Sequence, residues 1–104
     1  MRFHHIAKTV KNIEESVAWH VENLSAKVLK KDDDWAMLLI NGLSLALMLP
    51  DTHPEHIAFE VLSVDEFPCE KNEVRKHRDG SLYYYQEAHD GSIIEWLCWP
   101  DKSI

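Results

Sequence analysis

The chain has 104 residues, a formal net charge of −7, and a composition that is 45% hydrophobic and 28% charged. Its length predicts a single domain over residues 1–104, and its composition is typical of a globular protein rather than a disordered one. The acidic charge argues against nucleic acid and against an anionic membrane as partners, because phosphate groups bind basic surfaces. Only two cysteines are present, Cys69 and Cys98, so no disulfide framework is expected.

Membrane insertion and secretion are not indicated by the sequence. No apolar run approaches the roughly 18 residues that a membrane-spanning helix requires. Near the N-terminus, Lys8 and Lys11 interrupt any apolar core of a signal peptide. We therefore expect no membrane partner and a cytoplasmic location.

Residues 1–50 predict a first module with the order β-α-β-β-β. Asn12 is placed to cap the helix, with Glu15 three residues later as in a capping box. Apolar residues at spacings of four, four and three then form one helical stripe (Ile13, Val17, Val21, Leu24). Asn41-Gly42 is a strong hairpin signal between two apolar runs. The predicted strands are Arg2–Val10, Ala26–Lys31, Trp35–Ile40 and Leu43–Leu49.

Residues 55–101 predict a second module, after a linker that holds Pro50 and Pro54. The order of elements repeats, but the helix is truncated to one turn at Val64–Phe67. Asp-Gly pairs at residues 79–80 and 90–91 predict tight turns. The basic run Arg75–Arg78 is interpreted as a solvated face. The predicted strands are 56–61, Glu73–Arg78, Ser81–Glu87 and Ser92–Trp99.

The opening strand of the chain is repeated at mid-chain. Residues 5–10 and 56–61 share the pattern His-Ile-Ala-x-x-Val, and the two histidines are 51 residues apart. Both modules also end alike, with a glycine turn, a strand and a Pro-Asp pair. This repeat predicts two similar modules, each opening with a strand that carries a histidine on the same face.

His5, His56 and Glu95 are the candidate metal ligands. Glu95 lies among apolar residues of the last strand, where a buried carboxylate is costly unless a positive charge pairs with it. Two imidazoles and a carboxylate suit Fe, Mn, Ni or Zn and leave positions open for water or substrate. Taken singly, each histidine could also be a packed strand residue, and Glu95 could lie on the solvent face of an edge strand.

The motifs resemble those of the vicinal oxygen chelate superfamily over essentially the whole chain. They are His-Ile-Ala at residues 5–7, His-Ile-Ala-Phe-Glu-Val at 56–61 and Asp-Gly-Ser-Ile-Ile-Glu at 90–95. That superfamily includes glyoxalase I, extradiol dioxygenases, methylmalonyl-CoA epimerase, and fosfomycin and bleomycin resistance proteins. The resemblance implies an α+β fold of two βαβββ modules, the second helix truncated, forming a curved mixed sheet around a cleft. It also implies a divalent metal held by His5, His56 and Glu95.

The sequence departs from the superfamily pattern in several places. Leu45 or Ala46 stands where symmetric glyoxalases have a fourth, carboxylate ligand, and residues 43–49 contain no carboxylate. The three-ligand pattern resembles the fosfomycin-resistance and dioxygenase branches instead. Ser25 stands where a glycine often follows the first helix. The truncated second helix removes one wall over the sheet, and we expect a homodimer to cover the exposed apolar surface.

Two further histidines are alternative ligands. His4 could replace His5, although only His5 aligns with His56 in the repeat. His53 forms a His-x-x-His pattern with His56, but it precedes Pro54 in the linker, where a surface role is the plainer interpretation.

Three other residues are candidates for roles around a metal. Glu60 shares a strand face with His56 and could act as a general base, or simply be solvated. Tyr83 and Tyr85 could line a substrate pocket, although the strand preference of tyrosine explains them equally well.

Two classes of function fit these observations. The first is a metal-dependent enzyme, a lyase, isomerase or dioxygenase, whose ion chelates two adjacent oxygens of a small substrate. The second is a metal-free binding protein of the bleomycin-resistance type, whose acidic charge favours a cationic ligand stacked on aromatic rings. The sequence names neither the substrate nor whether the site forms within one chain or across a dimer.

Overall fold

The computed structural model describes residues 1–100 and contains one α-helix, two short 3-10 helices and eight strands in that range. The elements are β1 (Arg2–Thr9), α1 (Ile13–Leu24), β2 (Lys27–Lys31), β3 (Trp35–Ile40), β4 (Leu43–Met48), β5 (His56–Glu60), β6 (Arg75–Lys76), β7 (Leu82–Glu87) and β8 (Ile93–Cys98). The strands of the first half are neighbours in the order β2-β3-β4-β1, with parallel and antiparallel pairs, and those of the second half in the order β5-β8-β7-β6. The 3-10 helices, Val64–Glu66 and Lys71–Glu73, stand where a second helix would be.

The predicted α+β class with two similar modules and a truncated second helix is confirmed. The chain divides into two compact units, one of residues 5–56 and one of residues 1–4 with the chain from Ile57 onward. The predicted end of the second module at residue 101 lies outside the described residues. None of the helices described over residues 1–100 has the length and the apolar stretch that a membrane crossing requires.

The first unit is built around the contact of α1 with its strands. Leu38 and Leu47 are fully buried and share a cluster with Ile13 and Val17 of the helix. Strand β1 runs parallel to β4, and β3 pairs with β4 in an antiparallel hairpin. At the hairpin, Asn41-Gly42 has positive φ angles at both residues, 49° and 83°, as the predicted two-residue turn requires.

Helix α1 buries a different face from the predicted one. Ile13 and Val17 are buried as expected, but Val21 and Leu24 are exposed and His20 is buried in their place. The imidazole Nδ1 of His20 lies 2.6 Å from the carbonyl oxygen of Ser16 and donates to it. This hydrogen bond satisfies the polar ring nitrogen, so His20 can be buried without an unpaired donor. The apolar pattern had predicted that Val21 and Leu24 would be buried instead.

A side-chain cap begins α1, and a residue in the left-handed conformation ends it. Asn12 accepts a hydrogen bond from the backbone N–H of Glu15 at 2.9 Å, which confirms the predicted cap. Ser25, directly after the helix, has φ 54° and ψ 36°, which is the left-handed conformation. A side chain disfavours this conformation and glycine adopts it freely.

We expect Ser25→Gly to raise the free energy of unfolding by about 1 kcal/mol, because it removes the strain of a Cβ in the left-handed region. Ser16→Gly is the matched control inside the same helix and should lower that free energy by about 0.5 kcal/mol. Urea unfolding followed by circular dichroism measures both. A Ser25→Gly variant less stable than the parent protein would contradict the expectation.

The second unit is organised by the pairing of β7 with β8. Its core cluster consists of Val61, Phe67 and Cys98. The predicted strand Glu73–Arg78 is wrong over most of its length, since only β6 pairs with β7. The Glu73 carboxylate accepts a hydrogen bond from the backbone N–H of Glu70 at 3.0 Å, and this cap makes Glu73 the end of a 3-10 turn instead of the start of the predicted strand.

Candidate functional site

The structure brings His5 and His56 together. His5 lies on β1 and His56 on β5, and each is 8% exposed. Their Nε2 atoms are 3.3 Å apart, and the two rings meet edge to face at a centroid separation of 5.3 Å. The repeated strand therefore places its two histidines side by side, as its shared pattern predicts.

The orientation of His56 is set by the backbone. Its Nδ1 lies 2.6 Å from the carbonyl oxygen of Pro54. A carbonyl oxygen only accepts, so Nδ1 donates to it, and Nε2 is the ring nitrogen that faces His5 and can supply a lone pair to a metal ion. Metal-binding histidines are commonly oriented in this way, by a hydrogen bond from the ring nitrogen that does not bind the ion.

The spacing of the two Nε2 atoms fits a shared metal ion. Two nitrogens, each about 2.05 Å from a tetrahedral ion, are about 3.3 Å apart. The observed separation is also 3.3 Å. The same distance is long for an N–H···N hydrogen bond, which is the alternative use of two facing imidazole nitrogens.

Glu95 is a buried carboxylate within the second unit. It is 2% exposed and lies on β8, opposite Tyr85 of β7. Its Oε2 atom is 2.7 Å from Nε2 of His77. The interpretation of Glu95 as an edge residue facing solvent is therefore wrong, because β8 lies between β5 and β7 in the sheet.

His77 is a site residue that sequence reasoning missed. It belongs to the run Arg75–Arg78, whose interpretation as a solvated face is wrong for His77, with a side chain only 26% exposed. The signal that could have singled it out is the tight turn at Asp79-Gly80. That turn folds the chain back into β7, and β7 in turn pairs with the strand of Glu95.

His5 and His56 are buried and each offers one ring nitrogen, and the buried Glu95 offers a carboxylate oxygen. That these three residues together hold a metal ion stays a prediction. Two imidazole nitrogens and one carboxylate oxygen are donors that suit Zn, Fe, Mn or Ni. The alternative ligands His4 and His53 are not in this group.

Aromatic rings line the strand face of Glu95. The ring of His77 stacks on Tyr83 at 3.7 Å and 10°, and Tyr83 lies 5.1 Å from Tyr85. Burial raises the pKa of the Tyr85 hydroxyl well above its usual range, and the charge of Glu95 adds to this effect. Tyr85 therefore stays protonated at physiological pH and keeps a hydrogen to donate. The substrate-binding role of Tyr83 and Tyr85 stays a prediction.

Glu60 and His4 have other contacts within the second unit. The Glu60 carboxylate is 3.3 Å from the guanidinium of Arg2, so a positive charge lies beside the candidate general base. The His4 ring lies 5.2 Å from that of Trp99. Burial lowers the pKa of His4 below its usual value, although the Glu60 carboxylate acts in the opposite direction.

No protein-family model matches the sequence, and no curated protein matches it at a significant level. Solved structures do match. Methylmalonyl-CoA epimerase from Mycobacterium tuberculosis superposes with a TM-score of 0.75 at 15% identity, covering 98% of this chain and 90% of its own. A variant of the Streptomyces coelicolor epimerase, in complex with 2-nitronate-propionyl-CoA, has a TM-score of 0.72 at 19% identity, with coverages of 97% and 96%.

A third similar structure is a glyoxalase/bleomycin resistance protein/dioxygenase superfamily member from Vibrio splendidus. Its TM-score is 0.69 at 11% identity, and the match covers 92% of this chain and 98% of that one. These likenesses span nearly the full length of both partners, and they show that this chain has the vicinal oxygen chelate fold. At such identities they establish the fold alone, because one fold hosts many activities.

Proposed function

We propose that this chain, with its vicinal oxygen chelate fold, binds one divalent metal ion through His5, His56 and Glu95. The observation that carries the proposal is the pair of buried imidazoles, whose Nε2 atoms lie 3.3 Å apart. The backbone carbonyl of Pro54 holds the lone pair of His56 toward its partner. A buried carboxylate, Glu95, supplies the third donor and a negative charge that favours a cation.

The bound ion would act as a Lewis acid on adjacent oxygens of a small substrate. The chain's own residues would orient that substrate. The Tyr85 hydroxyl stays protonated and can donate a hydrogen bond to a substrate oxygen, while Tyr83 offers an aromatic face. Three protein ligands leave coordination positions for the substrate, which is the arrangement of catalytic rather than structural sites.

A small acid or carbonyl compound is the substrate class that this site favours. Two adjacent oxygens can bind one ion together, and the structurally similar epimerases are named for a carboxylated acyl thioester, methylmalonyl-CoA. The activity we propose is that of a metal-dependent lyase, isomerase or dioxygenase.

One observation favours the second candidate, a metal-free binding protein. His77 already donates a hydrogen bond to Glu95, and this donor satisfies an oxygen of the buried carboxylate without any ion. In that case the aromatic rings around Glu95 would hold a small ligand directly, and the imidazole pair would be joined by an N–H···N hydrogen bond.

Metal content separates the two candidates. Protein purified after growth with Fe, Mn, Ni or Zn in turn, and analysed by plasma mass spectrometry, is expected to hold about one ion per chain, because three buried donors define one site. Well-folded protein that holds no metal after all four supplements would contradict the first candidate and leave the second.

The predicted homodimer and the predicted cytoplasmic location stay predictions. Leu62 is 96% exposed, and Phe3 and Ile57 are each about two-fifths exposed. Apolar surface of this kind is what a second copy would cover.

A further inference from the structure

His77 forms a hydrogen bond with Glu95, which is one of the three proposed metal ligands. Nε2 of His77 lies 2.7 Å from Oε2 of Glu95, and the Glu95 side chain is 3% exposed. An ionised carboxylate has no hydrogen to donate and can only accept. The imidazole therefore donates its Nε2–H to that oxygen. One of the two carboxylate oxygens is thereby committed to a protein donor.

We propose that His77 is a positioning residue that makes Glu95 a ligand through its other oxygen, Oε1. This inference rests on the proposed function, since it concerns how Glu95 meets the ion. With Oε2 bound to His77, the carboxylate plane can no longer rotate freely about its last torsion. Outer hydrogen bonds of this kind hold metal-binding carboxylates in place and contribute to metal affinity.

His77 is itself held from two sides. Its ring stacks on Tyr83, with centroids 3.7 Å apart and planes within 10° of parallel. Its backbone closes the turn into β7, donating from N–H to the carbonyl of Ser81 at 2.9 Å and accepting from the N–H of Gly80 at 3.0 Å. The Asp79 carboxylate in turn accepts from the backbone and hydroxyl of Ser81.

The paired strands β7 and β8 hold the two partners of this hydrogen bond, His77 through its stack on Tyr83 and Glu95 directly. Tyr83 lies two residues from Tyr85 on β7, and Tyr85 faces Glu95 across the ladder. The imidazole is thus fixed to β7 and the carboxylate to β8, so the donor is already in place before any ion arrives. Groups oriented in advance lose little freedom on binding, which is why such a contact raises affinity.

Two variants of His77 separate its hydrogen bond from its ring. His77→Phe keeps an aromatic ring for the stack on Tyr83 but has no N–H to donate. His77→Gln loses the ring but carries an amide N–H at a similar reach from the backbone. If the hydrogen bond positions Glu95, the glutamine variant should bind metal nearly as the parent protein does, and the phenylalanine variant should not.

The experiment is a titration of the apo full-length protein with Co(II), followed by visible absorption. We expect His77→Phe to lower Co(II) affinity by about 10- to 100-fold, the range for loss of an outer-sphere partner, and to change the absorption bands as the geometry at the ion changes. His77→Gln is expected to recover most of the affinity and the parent spectrum. Tyr83→Phe, which keeps the stacked ring, is the control and should behave as the parent protein.

The outcomes distinguish this inference from the proposed function. Parent protein that binds no Co(II) would overturn both. Parent protein that binds Co(II), with His77→Phe equal to it in affinity and spectrum, would overturn the positioning role alone. A loss of Co(II) affinity of the same size in His77→Gln or in Tyr83→Phe would also overturn it. The loss would then not depend on whether residue 77 has an N–H to donate to Glu95. If His77→Phe fails to fold, His77→Ala takes its place in the same comparison.

Discussion

Replacing His56 by alanine is expected to lower the affinity for the divalent ion by at least about 100-fold, since loss of an outer-sphere partner alone costs 10- to 100-fold. The ring of His56 is held on both nitrogens, with Nδ1 bound to the Pro54 carbonyl and Nε2 facing His5. Its loss removes one of three proposed ligands and leaves the pair incomplete. Calorimetric titration of the apo protein with Zn(II) or Mn(II) measures the change.

His53→Ala is the matched control for this experiment. His53 is an exposed histidine in the linker, three residues before His56 begins β5, so its removal should leave metal affinity unchanged. His56→Gln serves as a second variant if the alanine variant folds poorly, and circular dichroism checks each protein. Unchanged affinity in both His56 variants, or a large loss in His53→Ala, would contradict the assignment of His56 as a ligand.

Leu38→Ala is expected to lower the free energy of unfolding by about 2–5 kcal/mol, the cost of a large-to-small change in a packed core. Leu38 lies on β3, is fully buried, and shares a cluster with Ile13 and Val17 of α1. Its truncation would leave a cavity between α1 and the strands that pack against the helix. Chemical denaturation measures the change.

The control for the core prediction is Leu43→Ala in the neighbouring strand. Leu43 begins β4 and is 38% exposed, so its truncation should cost about 0.5 kcal/mol, as is usual for surface changes. Equal losses in the two variants would show that the cluster under α1 does not dominate the stability of the first unit. A loss below about 1 kcal/mol in Leu38→Ala would show that the site collapses to fill the cavity.

Signals carried by neighbouring residues predicted most of the elements correctly. Asn12 caps α1 because its side chain reaches a backbone N–H only three residues away. Asn41-Gly42 forms the hairpin because both residues tolerate positive φ. The repeated His-Ile-Ala pattern placed His5 and His56 on corresponding faces, since alternation in a strand is a local property of the backbone.

Sequence patterns failed where a side chain forms a hydrogen bond with a backbone group a few residues away, which apolar periodicity does not record. Val21 and Leu24 have the apolar character of a buried stripe, but His20 is buried instead because Ser16 accepts its N–H. Glu73 was predicted to begin a strand, but it ends a 3-10 turn that its own side chain caps. No periodicity encodes either contact, since both depend on how one side chain reaches a particular backbone atom.

The two-module order of elements, the helix cap, the glycine turns and the equivalence of His5 and His56 could all be predicted from the order of residues. Each of these depends on residues within one strand or turn, or on a pattern that the chain repeats. The 3.3 Å approach of the two imidazoles and the hydrogen bond from His77 to Glu95 emerged from the folded chain and could not be predicted. Those contacts join residues 51 and 18 positions apart, and the pairing of strands, which buries many side chains at once, decides which distant residues become neighbours.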